Sequence, residues 1–448
     1  MRHSGSRALS RLPTAPQDVL EALEGPALSS EASVSTSEPT ADTPASAPVG
    51  AGFEVAPYRW VIIGQLWFHQ MMNQTAQIGL GVLLIGIGAE LQFGPREAGW
   101  LGATRNLGQL LVFPASFLAV RFAPKGLYGA LMAVVGLAML LAGFAPTFAA
   151  LFLCQSLFSL AGALAQVPGS LLRIQWVPSK ELGRVWGTGN ALNALAQTGA
   201  LVGIPLLLGP LGGWRGVMQA SGIVLLLSAL LWLVFGRQRG EFHVPDRASN
   251  YGALRRPTFY LMGLATLGGA TAYLSALLFL PTFFVQERGL SLQTAGLISG
   301  VFPAAGLVSN ILAGMLSDRI GRRKPFIWPA GLILPPLYVL AVSPIPVWAL
   351  VIVASLLGFF AWLPFPALNS IAYEIPGVQP AEVAVGQALM QAVSGAGVLM
   401  GPIIVGTIAA ATGSLQIAIM SIGVLPLLLT LSCLWLPDTG PKANLEAS

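Results

Sequence analysis

Arg105 is the one fully charged side chain well inside an apolar run of this chain, and a bare guanidinium is costly in lipid. Gln109 follows one helical turn later on the same face. A guanidinium offers carboxylates and oxyanions a forked pair of donors, so an unpaired Arg105 beside Gln109 reads as a binding site for a small anion. The competing readings are snorkelling to the outer surface and a structural pair with Glu90, Glu97 or Glu287 at helix ends. A second polar set, Gln65, His69, Asn73 and Gln77, recurs every four residues inside another apolar run and stacks on one helical face. Such a stripe lines an aqueous cavity or bonds a neighbouring helix. His69 is the one embedded group with an ordinary pKa near 6.5, which makes it a candidate proton carrier, against a hydrogen-bonded packing role. No nucleophile with a base, no phosphate loop and no metal-ligand spacing occurs; Cys154 and Cys433 both fall inside apolar runs and read as small core residues. The chain therefore reads as no enzyme, with no catalytic residue, no metal and no cofactor.

The elements that must carry these residues follow from composition. Hydrophobic residues make up 54% and charged residues 9% of the 448 positions, against about 25% charged in ordinary soluble domains. Mean hydropathy is +0.72. Twelve runs are long enough to cross a bilayer, which takes about 20 residues. The first six run from Trp60 to Gly88, Gly99 to Ala119, Leu127 to Phe144, Ala149 to Ile174, Val185 to Leu208 and Val217 to Phe235. The second six run from Thr258 to Val285, Ala295 to Leu316, Phe326 to Val342, Val347 to Ala372, Val383 to Ala410 and Leu415 to Leu436. Barrel strands would be half as long and alternate in polarity, so each run is a helix that satisfies its own backbone. The fold class is an all-α membrane protein of twelve transmembrane helices.

Short cytoplasmic loops hold an excess of Lys and Arg. Placing both termini in the cytoplasm puts most basic residues on that face and leaves Arg96, Arg215 and Arg288 outside. The net charge of +5 is then topology, with anionic headgroups rather than nucleic acid as its partner. Residues 1–56 are rich in Ser, Ala, Pro, Thr and Gly and read as a disordered cytoplasmic tail. Residues 57–236 form a first bundle, 237–256 a basic linker, 257–436 a second bundle and 437–448 a C-terminal tail.

The two halves repeat. Gly102 and Gly300, Arg121 and Arg319, Pro168 and Pro366, and Pro178 and Pro376 are each separated by 198 positions, and Gly189-Asn190-Ala191-Leu192 matches Gly386-Gln387-Ala388-Leu389 one position off that register. Two six-helix halves related in this way place a solute site at their interface and rock about it.

Between the eighth and ninth spans stands Gly314-Met315-Leu316-Ser317-Asp318-Arg319-Ile320-Gly321-Arg322-Arg323-Lys324. It resembles the signature loop of the major facilitator superfamily at Gly314, Asp318, Arg319, Gly321, Arg322 and Arg323, and the likeness covers nearly everything after residue 56. The resemblance implies a secondary transporter working by alternating access. It also implies a gate in which Asp318 docks at the start of the fifth helix, near Arg184. The first-half equivalent keeps Arg121 but has Val120 where the family has a carboxylate, so the matching latch near Glu382 is incomplete. Family cavities are lined by the first, fourth, seventh and tenth helices. That implies roles for Gln155, Ser159 and Gln166 on the fourth, Thr266 and Tyr273 on the seventh, and Phe359, Trp362 and Asn369 on the tenth. Glu374-Ile375-Pro376-Gly377-Val378 and Gly212-Gly213-Trp214-Arg215 are similar to the nitrate, cyanate and organic-anion branches, although that branch's arginine pair is not reproduced.

Three readings stay open. The first is a transporter of a small organic solute, an anion if Arg105 binds it, across a cell inner membrane as a monomer, with a proton or a counter-transported anion as partner. The second is an exporter of hydrophobic drugs, which the aromatic tenth helix suits and the missing embedded carboxylates oppose. The third is a receptor or assembly factor on a transporter scaffold.

Overall fold

The computed structural model describes residues 57–119, 122–239, 251–375, 377–378 and 380–440. The expected N-terminal tail, the distal C-terminal tail, most of the linker, and Val120 and Arg121 lie outside the described residues. The rest is helical. In chain order the α-helices are α1 (Arg59–Leu91), α2 (Pro95–Ala119), α3 (Pro124–Ala142), α4 (Phe148–Trp176), α5 (Ser179–Leu207), α6 (Trp214–Phe235), α7 (Pro257–Gln286), α8 (Leu292–Ile320), α9 (Trp328–Val342), α10 (Val347–Trp362), α11 (Pro364–Glu374), α12 (Pro380–Thr412), α13 (Leu415–Ile422) and α14 (Leu427–Trp435).

Helix boundaries follow local chemistry. Pro124 and Pro257 sit at the first positions of α3 and α7, where a missing N–H costs nothing. Thr147 and Ser291 cap α4 and α8 by accepting from the N–H groups of Ala150 and Thr294. Gly321 ends α8 at φ 72°, a conformation that glycine adopts without strain. The tenth and twelfth spans, expected as single helices, are each broken in two. Pro364 interrupts one between α10 and α11, and Pro426 precedes α14 in the other, because proline removes a hydrogen bond and crowds the preceding turn.

Among the described residues, ten helical segments are both long and apolar enough to cross a membrane. The two remaining full-length helices, α2 and α5, fall short because they carry the densest polar content, Arg105 and Gln109 on one and Asn190, Asn193 and Gln197 on the other. Large apolar side chains such as Leu153, Leu206, Val234, Trp348 and Leu434 are exposed around the bundle, as expected of a lipid-facing belt.

The halves meet along three seams: α1 with α7, α2 with α12, and α5 with α8. Glycines allow the close approach at each seam. A Cβ would lie 2.8 Å from Leu277 O at Gly81, 2.5 Å from Pro402 O at Gly99, and 2.3 Å from Leu201 O at Gly296. All three sit toward the end of the bundle opposite the 321–323 loop. One continuous apolar core crosses both halves there, while a separate cluster around Leu66, Tyr128, Trp176 and Trp232 belongs to the first half alone. At the basic end α4 makes no substantial contact with α10 or α11. The bundle is closed at one end and open at the basic end.

The repeat extends to the polar clasps. At the basic end Arg59 pairs with Glu181 at 3.1 Å in the first half, and Arg256 pairs with Glu382 at 3.1 Å in the second. At the opposite end Glu90 accepts from Trp214 Nε1 and Arg215 Nε, while Glu287 accepts from the Leu415 N–H. In each half the carboxylate ending the first helix thus holds the start of the sixth span.

Candidate functional site

Between the halves lies a chamber of adjoining lobes. The first, about 320 Å³, is walled by α1, α2, α4 and α5 and lined by His69, Asn73, Gln77, Arg105, Gln109 and Gln166 among others. The second, about 310 Å³, is lined by Gln109, Gln166, Tyr273, Trp362 and Phe365 with their neighbours. Gln109 and Gln166 belong to both. A third lobe of about 340 Å³ between α5 and α8 shares Asn190 with the first and Trp362 with the second. Each lobe is of a size usual for a small-molecule site.

Arg105 enters the first lobe from α2. Its backbone is fixed from α4, where Ser159, itself buried, donates to Arg105 O at 2.8 Å and accepts from the Gly108 N–H. The guanidinium makes no hydrogen bond or ion pair with the described residues. Each carboxylate proposed from sequence as its structural partner is engaged elsewhere. Glu90 binds Arg215 at 2.7 Å, Glu97 accepts from the Gly94 N–H, and Glu287 caps α13. Tyr273 lines the second lobe. The Tyr273 hydroxyl donates to Gln197 Oε1 at 3.1 Å, a bond that joins the two halves.

The stripe on α1 is only partly a chamber wall. His69, Asn73 and Gln77 line it, whereas Gln65 turns away and donates to Leu231 O on α6. Four residues advance a helix by about 400°, so a four-residue stripe drifts around the axis by about 40° per step. His69 is buried, with Nδ1 3.4 Å from Ser228 Oγ and Nε2 without a partner. Two sequence expectations on the fourth and tenth spans are not met. Gln155 is buried away from the residues lining the lobes, and Asn369 on α11 is exposed and outside them.

Sequence reasoning missed Arg173 as a chamber residue, counting it only among the basic residues on or near the cytoplasmic face. Arg173 is buried, lines the first lobe, donates to Gln70 Oε1 at 2.5 Å and stacks over Trp186 with its guanidinium carbon 4.6 Å from the ring centroid. Gln70, Asn190, Asn193 and Gln197 were missed as well. The available signal was the low hydropathy of α5 and the second polar residue that follows His69 and Asn73 on α1, Gln70 and Gln74. No Asp or Glu lines any of the three lobes among the described residues.

The signature loop forms a compact ionic node. Arg323 is almost fully buried and reaches Asp318 at 2.7 Å, Ser317 at 2.5 Å and Glu374 at 2.6 Å, and its backbone N–H donates to Thr439 O. Hydrogen bonding to Glu374, then to Asp318, holds its guanidinium above its already high range. Asp318 is therefore engaged within its own half, and neither α5 nor Arg184 receives it; its side chain is 71% exposed and Arg184 is exposed. The open basic end separates the two. Position for position, the first half places Lys125 and Trp176 where the second has Arg323 and Glu374, and it fills the node with Tyr58 and Trp176 stacked at 6.1 Å, with Arg237 over Tyr58 at 4.3 Å.

A family profile described as Major Facilitator Superfamily matches residues 66–379 and 279–448. A probable nitrate/nitrite antiporter of Thermus thermophilus, NarK1, is 27% identical over 278 residues, which are 58% of this chain and 61% of that protein. An MFS-type efflux pump of Mycolicibacterium smegmatis is 27% identical over 280 residues, 59% of this chain and 64% of that one. The chain thus spans less than two thirds of the length of both relatives. The crystal structure of a bacterial homolog of the human lysosomal transporter Spinster, inward-facing and unoccupied, superimposes with a TM-score of 0.69 over 85% of this chain and 95% of that one, at 18% identity.

Proposed function

We propose, from the premise that this chain belongs to the Major Facilitator Superfamily, that it is a secondary transporter, not an enzyme, and that it carries a small anion through the chamber between its halves. The observation that carries the anion is Arg105: a guanidinium without a protein partner, facing a chamber whose described lining holds no carboxylate. A half-buried guanidinium on a chamber wall within the membrane calls for a counter-charge, and the solute supplies it in fork geometry. The nitrate/nitrite relative fits a solute of this sign.

The basic end is the cytoplasmic face of a cell inner membrane, with both termini on that side. The structure is then the inward-open state of a monomer embedded in lipid. Alternating access opens the three glycine seams at the outer end and closes the basic end. In that closed state Asp318 leaves Arg323 for the start of α5, where free N–H groups and the helix dipole favour an anion and where Arg184 stands by. Arg319, Arg322, Gly314 and Gly321 shape the loop that makes this exchange. His69, with Nε2 unpartnered at the chamber wall, is the proton-accepting group if protons couple to the solute.

The aromatic lobe of Tyr273, Trp362 and Phe365 favours a second reading, export of hydrophobic compounds, in line with the efflux-pump relative. Uptake into proteoliposomes separates the two. Labelled small carboxylates or oxyanions accumulate with wild type and lose at least nine tenths of their flux with Arg105→Ala; flux of lipophilic cations that is indifferent to Arg105→Ala would sink the anion reading.

A further inference from the structure

The chamber is two-faced, and the two faces belong to different halves. The first-half wall is one of amides and one free cation: Asn73, Gln77, Gln109 and Gln166 around Arg105. The second-half wall is aromatic and built in place. Trp362 ends α10 and Phe365 opens α11, so the proline break turns both rings toward one lobe. Their centroids lie 5.6 Å apart, and Trp362 meets Tyr273 edge-on at 5.8 Å. Gly306 on α8 makes the seat for the indole, since a Cβ there would lie 2.4 Å from the Trp362 ring. Tyr273 is clamped in turn by Phe302 at 4.8 Å and by its bond to Gln197. The Trp362 N–H is buried without a well-formed hydrogen bond. Rigid, pre-positioned rings at the edge of a cavity are a means of binding a flat apolar body, not of binding water or a bare ion.

Only one guanidinium serves this junction. Arg173 is committed to Gln70 and Trp186. Arg173 and Arg105 both line the first lobe, and Arg105 is the one of the two that no described side chain holds. With no carboxylate on the described lining, an amine finds no counter-charge. We propose that the solute is an amphipathic monoanion, an aromatic or similarly flat apolar body bearing one carboxylate or sulfonate, with its head on Arg105 and Gln109 and its ring against Tyr273, Trp362 and Phe365.

This inference rests on the anion reading above and narrows it. Nitrate is too small to touch both walls, and a polyhydroxylated diacid would leave hydroxyls against the rings.

The test is equilibrium binding to the purified full-length protein with phenylacetate, acetate, nitrate, glucarate, phenylacetamide and 2-phenylethylammonium as probes. Phenylacetate binds about thirtyfold more tightly than acetate, the value expected for burying one phenyl ring, and phenylacetamide and the ammonium do not compete. Trp362→Leu and Phe365→Leu each lower phenylacetate affinity about tenfold and leave acetate within twofold, while Trp362→Phe keeps most of the affinity, which separates loss of the ring from loss of the fold. Nitrate, acetate or glucarate binding as tightly as phenylacetate, with Arg105→Gln still abolishing it, overturns this inference and leaves the anion reading standing. Phenylacetamide binding as well as phenylacetate, unchanged in Arg105→Gln, overturns both. Absence of binding by every probe overturns the amphipathic monoanion.

Discussion

Glu90 and Arg215 form a 2.7 Å ion pair at the closed end of the bundle, and by holding each other they leave Arg105 without a carboxylate. Arg215 also donates to the carbonyls of Gly143 and Ala145 at the end of α3. In the second half Arg288 donates to the matching carbonyls of Ser343 and Ile345. The clasp is thus a structural feature repeated in both halves, and Arg105 stands outside it.

Arg105→Gln is expected to abolish anion binding by at least tenfold and yet to leave the melting temperature equal to or above that of wild type. Removing one member of a satisfied buried pair costs about 3–5 kcal/mol, whereas removing an uncompensated charge relieves a desolvation penalty. Thermal unfolding of the two proteins without solute measures this directly. A fall of several degrees would show that Arg105 has a protein partner.

Arg173→Gln is expected to slow association rather than speed release. The guanidinium is held at the open end of the chamber by Gln70 and Trp186, where its field draws anions in. Stopped-flow binding should show a five- to tenfold lower on-rate, a shallower dependence on salt and a nearly unchanged off-rate. A purely slower or faster off-rate would contradict a steering role.

Glu374→Gln is expected to lower stability by about 2–3 kcal/mol, since it weakens two charge-assisted bonds to the almost buried Arg323. Asp318→Asn is expected to do something different: flux falls at least tenfold while the Kd of the solute stays within threefold, because Asp318 is exposed and the proposed gate engages it only in the opposite state. Equal loss of binding and flux in Asp318→Asn would refute the gating assignment.

Gly296→Val is expected to wedge the α5–α8 seam, because its Cβ would lie 2.3 Å from the Leu201 carbonyl, a backbone atom that cannot rotate away. Overpacking of this kind costs about 1–3 kcal/mol. Spin labels at the outer ends of α5 and α8 should report a longer distance and a broader distribution than in wild type. An unchanged distribution would mean that the seam yields elsewhere.

Much of this was legible in the chain itself. Spans, repeat and signature loop follow from residue order, and Arg105, Gln109, Asn73, Gln77, Gln166, Tyr273 and Trp362 do line the chamber. Gln155 and Asn369 do not, and Arg173, read only as a basic residue near the cytoplasmic face, does. Gln65 shows why: a residue's rotation about its own helix, and the presence of a proline break such as Pro364, decide which wall it faces, and neither is set by spacing within a single span.

By itself the sequence determined that the chain is a bundle of membrane-length helices, because lipid forces each backbone to satisfy itself locally, and the repeat between its halves, because that lies in the residue order. Tertiary structure decided which polar groups converge, which carboxylate takes which arginine, and which end is closed. Those outcomes depend on contacts between residues more than seventy positions apart: Glu90 with Arg215, Gln197 with Tyr273 across the halves, and Gly99 against Pro402. The pairing of Asp318 with Arg323 is likewise a tertiary outcome, since Glu374 from α11 completes the same node.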